Sequence, residues 1–312
     1  MKKNFLCSVA FILLASFTKA NNFYYSDTSF IAGRWDITIN ISGKTFPSWL
    51  EIERSGNNSL VGQFVGVVGS ARPISKVNFS NGKISFSIPP QWEGGANDLS
   101  FEATLQADSL NGSITFPDGK NYSCSAVHAP SLIRNSSPAW NKPIHLLKTT
   151  GLNGWHTSGQ DKQWVVESGI LKSPKPGSNL ITDAVFTDFK LHIEFRYPKN
   201  GNSGVYLRGR YEIQIADTYE APQKDQFSAV YGFLPPTEIA AKKPGEWQSY
   251  DITLIGRMIT VVANGKTIIC NREIPGITGG ALNSREAEPG PLMLQGDHGP
   301  IEYRNIIITP AK

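Results

Sequence analysis

Hydrophobic and polar residues alternate along much of the first half of the chain. Runs at 35–41 (Trp-Asp-Ile-Thr-Ile-Asn-Ile), 49–53, 60–68, 84–88, 99–105, 110–116 and 122–127 change character at nearly every residue. That is the period of a strand with one buried face. Turn residues fall between the runs: Ser42-Gly43-Lys44, then Ser-Gly-Asn-Asn at 55–58, Asn81-Gly82, and Pro117-Asp118-Gly119. Asn-Gly and Asp-Gly pairs accept the positive φ of tight hairpin turns, so consecutive hairpins are predicted. About eight strands in meander order suit a small closed barrel, because closure leaves no exposed edge. We place this unit at residues 27–130. Around 129–141, two prolines and three serines interrupt all periodicity, so a linker is expected at 131–141.

The second unit, 142–312, is also patterned for strands. Residues 189–197 alternate, 204–217 read as one long strand, and 250–255, 258–263 and 267–270 form two successive hairpins. The second of these turns at Asn264-Gly265. Residues 292–295 and 301–309 close the unit, and the short stretch 237–242 is a helical candidate. No motif repeats every 20–50 residues, which excludes a propeller or solenoid. The expectation is an all-β chain: a small meander barrel followed by a β-sandwich.

Composition narrows the class. Hydrophobic residues make up 40% and charged residues 18%, with seven Trp. A disordered or coiled-coil protein would carry more charge and fewer aromatics. Lys2 and Lys3 precede an apolar run at 5–17, and small residues precede a cut after Ala20. This reads as a secretory signal peptide at 1–20, too short for a membrane span. Its removal leaves 27 basic side chains against 26 acidic ones, so the formal +4 nearly vanishes. The charge therefore offers no case for a nucleic-acid partner. The protein is expected to be exported, periplasmic or extracellular, with no membrane span. Cys124 and Cys270 remain, 146 positions apart and in no Cys-x-x-Cys pair, and two free thiols are the favoured reading over a disulfide. Phosphate-binding loops, a nucleophile elbow and zinc-protease signatures are missing, and the five His show no metal spacing.

Two segments carry candidate chemistry. Within 200–217, Asn202, Gly204, Tyr206, Arg208, Arg210, Glu212 and Gln214 share one strand parity. Val205, Leu207, Tyr211, Ile213 and Ile215 share the other, so one face is apolar and the opposite one a polar row. A plain solvated sheet face is one reading. The other is a surface for a polyhydroxylated ligand, which needs planar hydrogen-bonding partners and an aromatic platform. In the second segment, 290–306, His298 sits on a Gly-bounded turn beside Asp297. A loop His can act as acid or base near neutrality, although a lone His is more often a structural hydrogen-bonding group. Tyr231 lies in a Pro- and Gly-rich loop and could flank a sugar. Trp155, Trp164 and Trp247 read as core or rim, and Trp35, Trp49 and Trp92 as barrel core.

The opening Gly33-Arg34-Trp35 resembles the start of a lipocalin strand. More specifically, residues 142–310 resemble the 3-keto-disaccharide hydrolase family. The matching motifs are Leu152-Asn153-Gly154-Trp155, Trp164-Val165-Val166, Asp188-Phe189-Lys190-Leu191 and Glu194-Phe195-Arg196. They continue with Asn202-Ser203-Gly204-Val205-Tyr206-Leu207-Arg208-Gly209 and Tyr211-Glu212-Ile213-Gln214-Ile215-Ala216-Asp217. The last are Gly245-Glu246-Trp247, Asn264-Gly265, Leu294-Gln295-Gly296-Asp297-His298-Gly299 and Tyr303-Arg304-Asn305-Ile306. The resemblance implies a concanavalin A-like jelly-roll sandwich that binds sugar on its concave sheet, and an enzyme cleaving the glycosidic bond of 3-keto-glycosides.

Glu212-x-Gln214-x-x-Asp217 also resembles the Glu-x-Asp-x-x-Glu strand of laminarinase-type glycosidases, with Gln214 in place of the middle carboxylate. A retaining glycosidase needs two carboxylates ~5–5.5 Å apart. A 3-keto sugar offers another route. The C3 carbonyl acidifies the C2 proton, and the C1 oxygen leaves by β-elimination before water adds. This needs one base, one enolate stabiliser and one acid. Glu212 or His298 is the candidate base. Arg208, Tyr206 or Gln295 could hold the enolate, and Asp217, or the base itself, could protonate the leaving group. Expected catalytic residues are thus Glu212, His298 and Asp217. Expected substrate contacts are Asn202, Tyr206, Arg208, Gln214, Tyr231 and Gln295. No cofactor is assigned; a divalent cation polarising the keto and hydroxyl oxygens stays open. The alternatives are a non-catalytic lectin-like module and a double-displacement glycosidase.

Overall fold

The computed structural model describes residues 30–57, 59–218, 223 and 225–312. The leader read at 1–20 lies outside them. Strands β1 (Gly33–Ile41), β2 (Lys44–Ser55), β3 (Ser59–Val65), β4 (Arg72–Ser80), β5 (Lys83–Ile88), β6 (Leu99–Gln106), β7 (Ser109–Thr115) and β8 (Asn121–His128) follow one another around a closed barrel. Each strand pairs antiparallel with the next, and β8 closes on β1, with Ile37 opposite Ala126. Asn81 and Gly82 both take positive φ at the β4–β5 turn, as the hairpin reading requires. The inward side chains include Trp35, Ile37, Ile39, Leu50, Phe64, Phe86 and Phe101.

Beyond a strand-poor stretch come β9 (Ile144–His145), β10 (Trp155–Thr157), β11 (Val165–Glu167), β12 (Ile170–Ser173), β13 (Leu180–Phe186), β14 (Phe189–Arg196), β15 (Asn202–Leu207) and β16 (Tyr211–Ala216). The chain continues through β17 (Gln248–Ile255), β18 (Met258–Ala263), β19 (Lys266–Glu273), β20 (Gly290–Leu294) and β21 (Ile301–Pro310). They form a smaller sheet in the order β10-β13-β20-β15-β16 and a larger one in the order β11-β12-β21-β14-β17-β18-β19, with β9 beside β21. Val205, Leu207, Ile213 and Leu294 of the smaller sheet share one core with Leu191, Phe195, Tyr250 and Ile308 of the larger. This is a β-sandwich, and the all-β reading holds. The described residues contain no helix of even one full turn, and 237–242 is irregular.

Two local readings change. Residues 204–217 are a hairpin and not one strand. Arg208, at φ 53°, and Gly209, at φ 65°, turn the chain between β15 and β16. The 131–141 stretch is pinned along the sandwich. Arg134 Nε donates to Asp188 Oδ2 at 2.7 Å, Leu132 is buried, and Trp140 bridges Ala311.

The barrel packs directly on the sandwich. Trp49 and Val65 belong to the sandwich core, and Trp49 meets Phe233 edge-on at 5.2 Å. The Gly280 N–H donates to the Val67 carbonyl at 2.9 Å. A side chain at Gly279 would run into the backbone of Val68 and Gly69, so only glycine lets the two backbones approach this closely. The barrel loop after β3 thereby becomes a wall above the smaller sheet.

Candidate active site

The β15–β16 hairpin sets the floor of a cavity of about 430 Å³ between the two units. Tyr206 lies opposite Glu212, and Gly204 opposite Gln214, so these positions share a face. The other face goes to the core. A Cβ at Gly204 would collide with the Glu212 carboxylate; the missing side chain is the slot that the carboxylate fills. Asn202, Gln214, Tyr231, Gln295, Asp297 and His298 complete the sandwich's share of the lining, and Val68, Gly69 and Trp92 come from the barrel. The Gln295 N–H donates to the Gly204 carbonyl at 2.9 Å, and Ser203 Oγ donates to the Gln295 carbonyl at 2.8 Å. These bonds fix the start of the 295–300 turn, and with it His298, against β15.

Glu212 is 4% exposed. Burial pushes its carboxyl up to about 8, against the opposing pull of the Tyr206 hydrogen bond and the His298 charge. The hydrogen-bond geometry also accommodates the neutral carboxyl. The Tyr206 hydroxyl has one proton but lies 2.8 Å from Glu212 Oε2 and 3.0 Å from the Gly279 carbonyl, both acceptors. A protonated Glu212 can donate to the phenol oxygen while the phenol donates to Gly279, which satisfies both contacts. His298 Nδ1 lies 2.6 Å from Asp297 Oδ1. An ionised carboxylate only accepts, so the ring proton sits on Nδ1 and leaves Nε2 free to exchange a proton. The Asp297 hydrogen bond, helped by that charge and by Glu212, raises His298 despite partial burial. Burial acts to raise Asp297, but the contact with His298 outweighs it and holds the carboxyl low.

Three amides are poised for a ligand. Asn202 Oδ1, Gln214 Oε1 and Gln295 Oε1 are buried without a protein partner, and all three residues line the cavity. Buried polar atoms are normally paired, so a set of orphans around one cavity suits incoming hydroxyl groups. Among the described residues no group of three or more His, Cys, Asp or Glu side chains is arranged to hold a metal ion.

The sequence profile of the 3-keto-alpha-glucoside-1,2-lyase-like domain family matches residues 142–309, just over half of the chain. The chain belongs to this family. A curated relative, a 3-keto-disaccharide hydrolase from Bacteroides thetaiotaomicron, is 24% identical over 156 residues, covering 38% of this chain and 54% of that protein. The chain thus spans about half the length of that relative. A crystal structure of a candidate glycosyl hydrolase from Parabacteroides distasonis is 31% identical, covers 53% of this chain and 82% of that one, and has a TM-score of 0.46. Another from the same organism is 26% identical over 54% of this chain and 98% of that one, with a TM-score of 0.44.

Within the family segment, the structure brings together Glu212, His298, Asn202, Tyr206, Gln214, Tyr231 and Gln295 around the cavity. Two expected site residues stand elsewhere. Arg208 is taken out of the polar row by the turn and is buried on the far side. Its Nη2 donates to Tyr211 Oη at 2.6 Å, and its guanidinium also reaches the carbonyls of Glu286 and Gly256. It therefore cannot hold an enolate in the cavity. Asp217 follows the end of β16. Its Oδ2 accepts the Asn200 N–H at 2.7 Å, so it ties down the 198–201 loop and lies outside the lining. Trp155 and Trp164 are buried, and Trp247 lies under Arg304 and Arg196 on the larger sheet, so all three keep structural roles. Trp35 and Trp49 are fully buried as well, but Trp92 is 67% exposed at the cavity mouth and not in the barrel core. Its flanking Pro-Pro-Gln and Glu-Gly-Gly already mark a loop, which was the available signal. The lining residue that sequence reasoning left without a role is Asp297, the carboxylate that orients His298. Cys124 and Cys270 are free thiols.

Proposed function

We propose that the protein is an exported carbohydrate-active enzyme that cleaves the glycosidic bond of 3-keto-glycosides by elimination and hydration. One observation carries this reading. A single cavity holds a buried carboxyl poised to be protonated near neutrality, Glu212, together with a His–Asp pair, Asp297–His298, whose free nitrogen can take a proton. In the proposed sequence His298 Nε2 removes the C2 proton, and the electrons pass to the C3 oxygen as an enolate. The side-chain amide of Gln295 is the donor available to that oxygen, since with Glu212 protonated the single Tyr206 proton is committed to the Gly279 carbonyl. The enolate collapses, the C1–O bond breaks, and Glu212 gives its proton to the departing oxygen. Water then adds at C1 of the resulting enone, its proton returns to Glu212, and His298, whose Nε2 proton exchanges with solvent once elimination has occurred, protonates C2. The net change is hydrolysis. Asn202 and Gln214 bind sugar hydroxyls. A double-displacement glycosidase would need a second free carboxylate beside Glu212. Asp217 is bound to Asn200, and Asp297 is bound to His298.

The test is an assay of a disaccharide against its 3-keto derivative. Aglycone release from the keto sugar alone is expected, and Glu212→Gln and His298→Ala should each reduce kcat by about 10²–10⁴-fold with substrate affinity kept. Cleavage of both sugars would favour a carboxylate pair. Cleavage of neither, with measurable binding, would make the site lectin-like, because its amides would serve a lectin equally well.

A further inference from the structure

A second cavity, of about 420 Å³, lies beside the first and shares Trp92 and Tyr231 with it. Its remaining described lining is mostly polar or rigid: Ser70 and Gln91 from the barrel, Asp225 and Pro235 from the sandwich. The combination of hydroxyl, amide and carboxylate with two aromatic faces suits a second hydroxylated ring better than an apolar group. Trp92 is an unusual residue to leave in solvent, yet its loop is firmly built. The Glu93 carboxylate accepts the N–H groups of Gln91 at 2.8 Å and Trp92 at 3.1 Å. Glu93 is itself paired with Arg72, both nearly buried, and Arg72 also donates to the Pro89 carbonyl at 2.9 Å. Gln91 and Ser70 complete the frame: the Ser70 N–H donates to Gln91 Oε1 at 3.0 Å, and Gln91 Nε2 donates to Ser70 Oγ at 2.9 Å. A large indole held open on a pre-organised loop costs little further ordering when a ligand stacks on it.

The position of Glu212 gives the second cavity a direction. The acid that protonates a glycosidic oxygen must stand where the two sugar units meet. The Glu212 carbonyl accepts the Tyr231 N–H at 3.0 Å, and Tyr231, with Trp92, forms the wall common to both cavities. We propose that the barrel builds a second sugar subsite, for the unit on the leaving-group side of the scissile bond, with Trp92 as its stacking platform. The proposal rests on the functional reading above for its direction, and it makes the substrate a keto-disaccharide or longer glycoside. The platform comes from outside the family segment, which begins at residue 142.

The test compares kcat/KM for a 3-keto-disaccharide and for the methyl 3-keto-glycoside of the same sugar, in the native protein and in Trp92→Ala and Trp92→Tyr. Trp92→Ala should lower the disaccharide-to-methyl ratio about tenfold, mainly through KM, and Trp92→Tyr should restore most of it. Equal losses on both substrates, or none on either, would overturn the subsite. Should the native protein cleave neither substrate, the functional reading fails separately. The subsite is then read by calorimetric titration with the unoxidised disaccharide and its methyl glycoside. A preference for the disaccharide that Trp92→Ala removes supports it, and no preference overturns it.

Discussion

The protonation of Glu212 is the residue-scale feature on which the proposed chemistry depends. A carboxyl pushed up to about 8 is still protonated at neutral pH and can act as an acid. Its raised value means that the proton is lost, and with it activity, as pH rises through about 8. His298 must be neutral to act as a base, and its ionisation is raised by Asp297. Activity should therefore fall on the acidic side below a point higher than that of an ordinary histidine. The expected kcat/KM profile is a narrow bell whose alkaline limb lies near 8; a flat profile from pH 6 to 10 would contradict it. Tyr206→Phe removes the hydrogen bond that lowers Glu212. The alkaline limb should then move to higher pH. An unmoved or lowered limb in the pH–rate profile would show that the phenol does not act on Glu212.

At the scale of elements, the hairpin explains which site residues were legible in sequence. Period-2 parity grouped Asn202, Tyr206, Glu212 and Gln214 correctly, because the turn pairs Tyr206 with Glu212 and so keeps even positions facing even positions. The same parity wrongly included Arg208, since a non-Gly residue at positive φ leaves no mark in a polar pattern. Asp297 was visible only as a neighbour of His298; its hydrogen bond depends on how the 295–300 turn is held to β15. The slot at Gly204 gives an element-scale prediction. Gly204→Ala pushes a methyl group into the Glu212 carboxylate. It should lower kcat at least tenfold and destabilise the fold by about 1–3 kcal/mol. Urea unfolding read alongside kinetics checks this, and a variant with native kcat would show that the carboxylate has room to move.

On the scale of the whole molecule, the barrel and sandwich are joined by a buried ionic cluster as well as by Trp49. Glu286 pairs with Arg257 at 2.6 Å and accepts the Tyr211 hydroxyl at 2.6 Å. Asp36 of β1 reaches the same carboxylate, and burial together with that negative neighbour holds Asp36 well above the usual carboxylate range. The folded protein thus keeps a proton that the unfolded chain releases. That contribution is complete below the ordinary Asp value and is lost progressively as pH rises through the raised one. Asp36→Asn should raise Tm, and more so at pH 8 than at pH 4.5; a gain independent of pH would refute the shared proton. The two-unit, all-β plan was readable from strand periodicity and turn pairs. The docking was not, because Trp35, Trp49 and Trp92 look alike in sequence. One lies inside the barrel, one joins the units, and one stands open at the cavity.

The measurement that tests the central claim most directly is turnover of a 3-keto-disaccharide in D2O, with the released keto sugar analysed by NMR. Proton abstraction followed by elimination and hydration predicts deuterium at C2 of the product. Cleavage with the C2 proton retained would mean that the glycosidic bond breaks by direct displacement, and the roles given to His298 and Glu212 would fall with it.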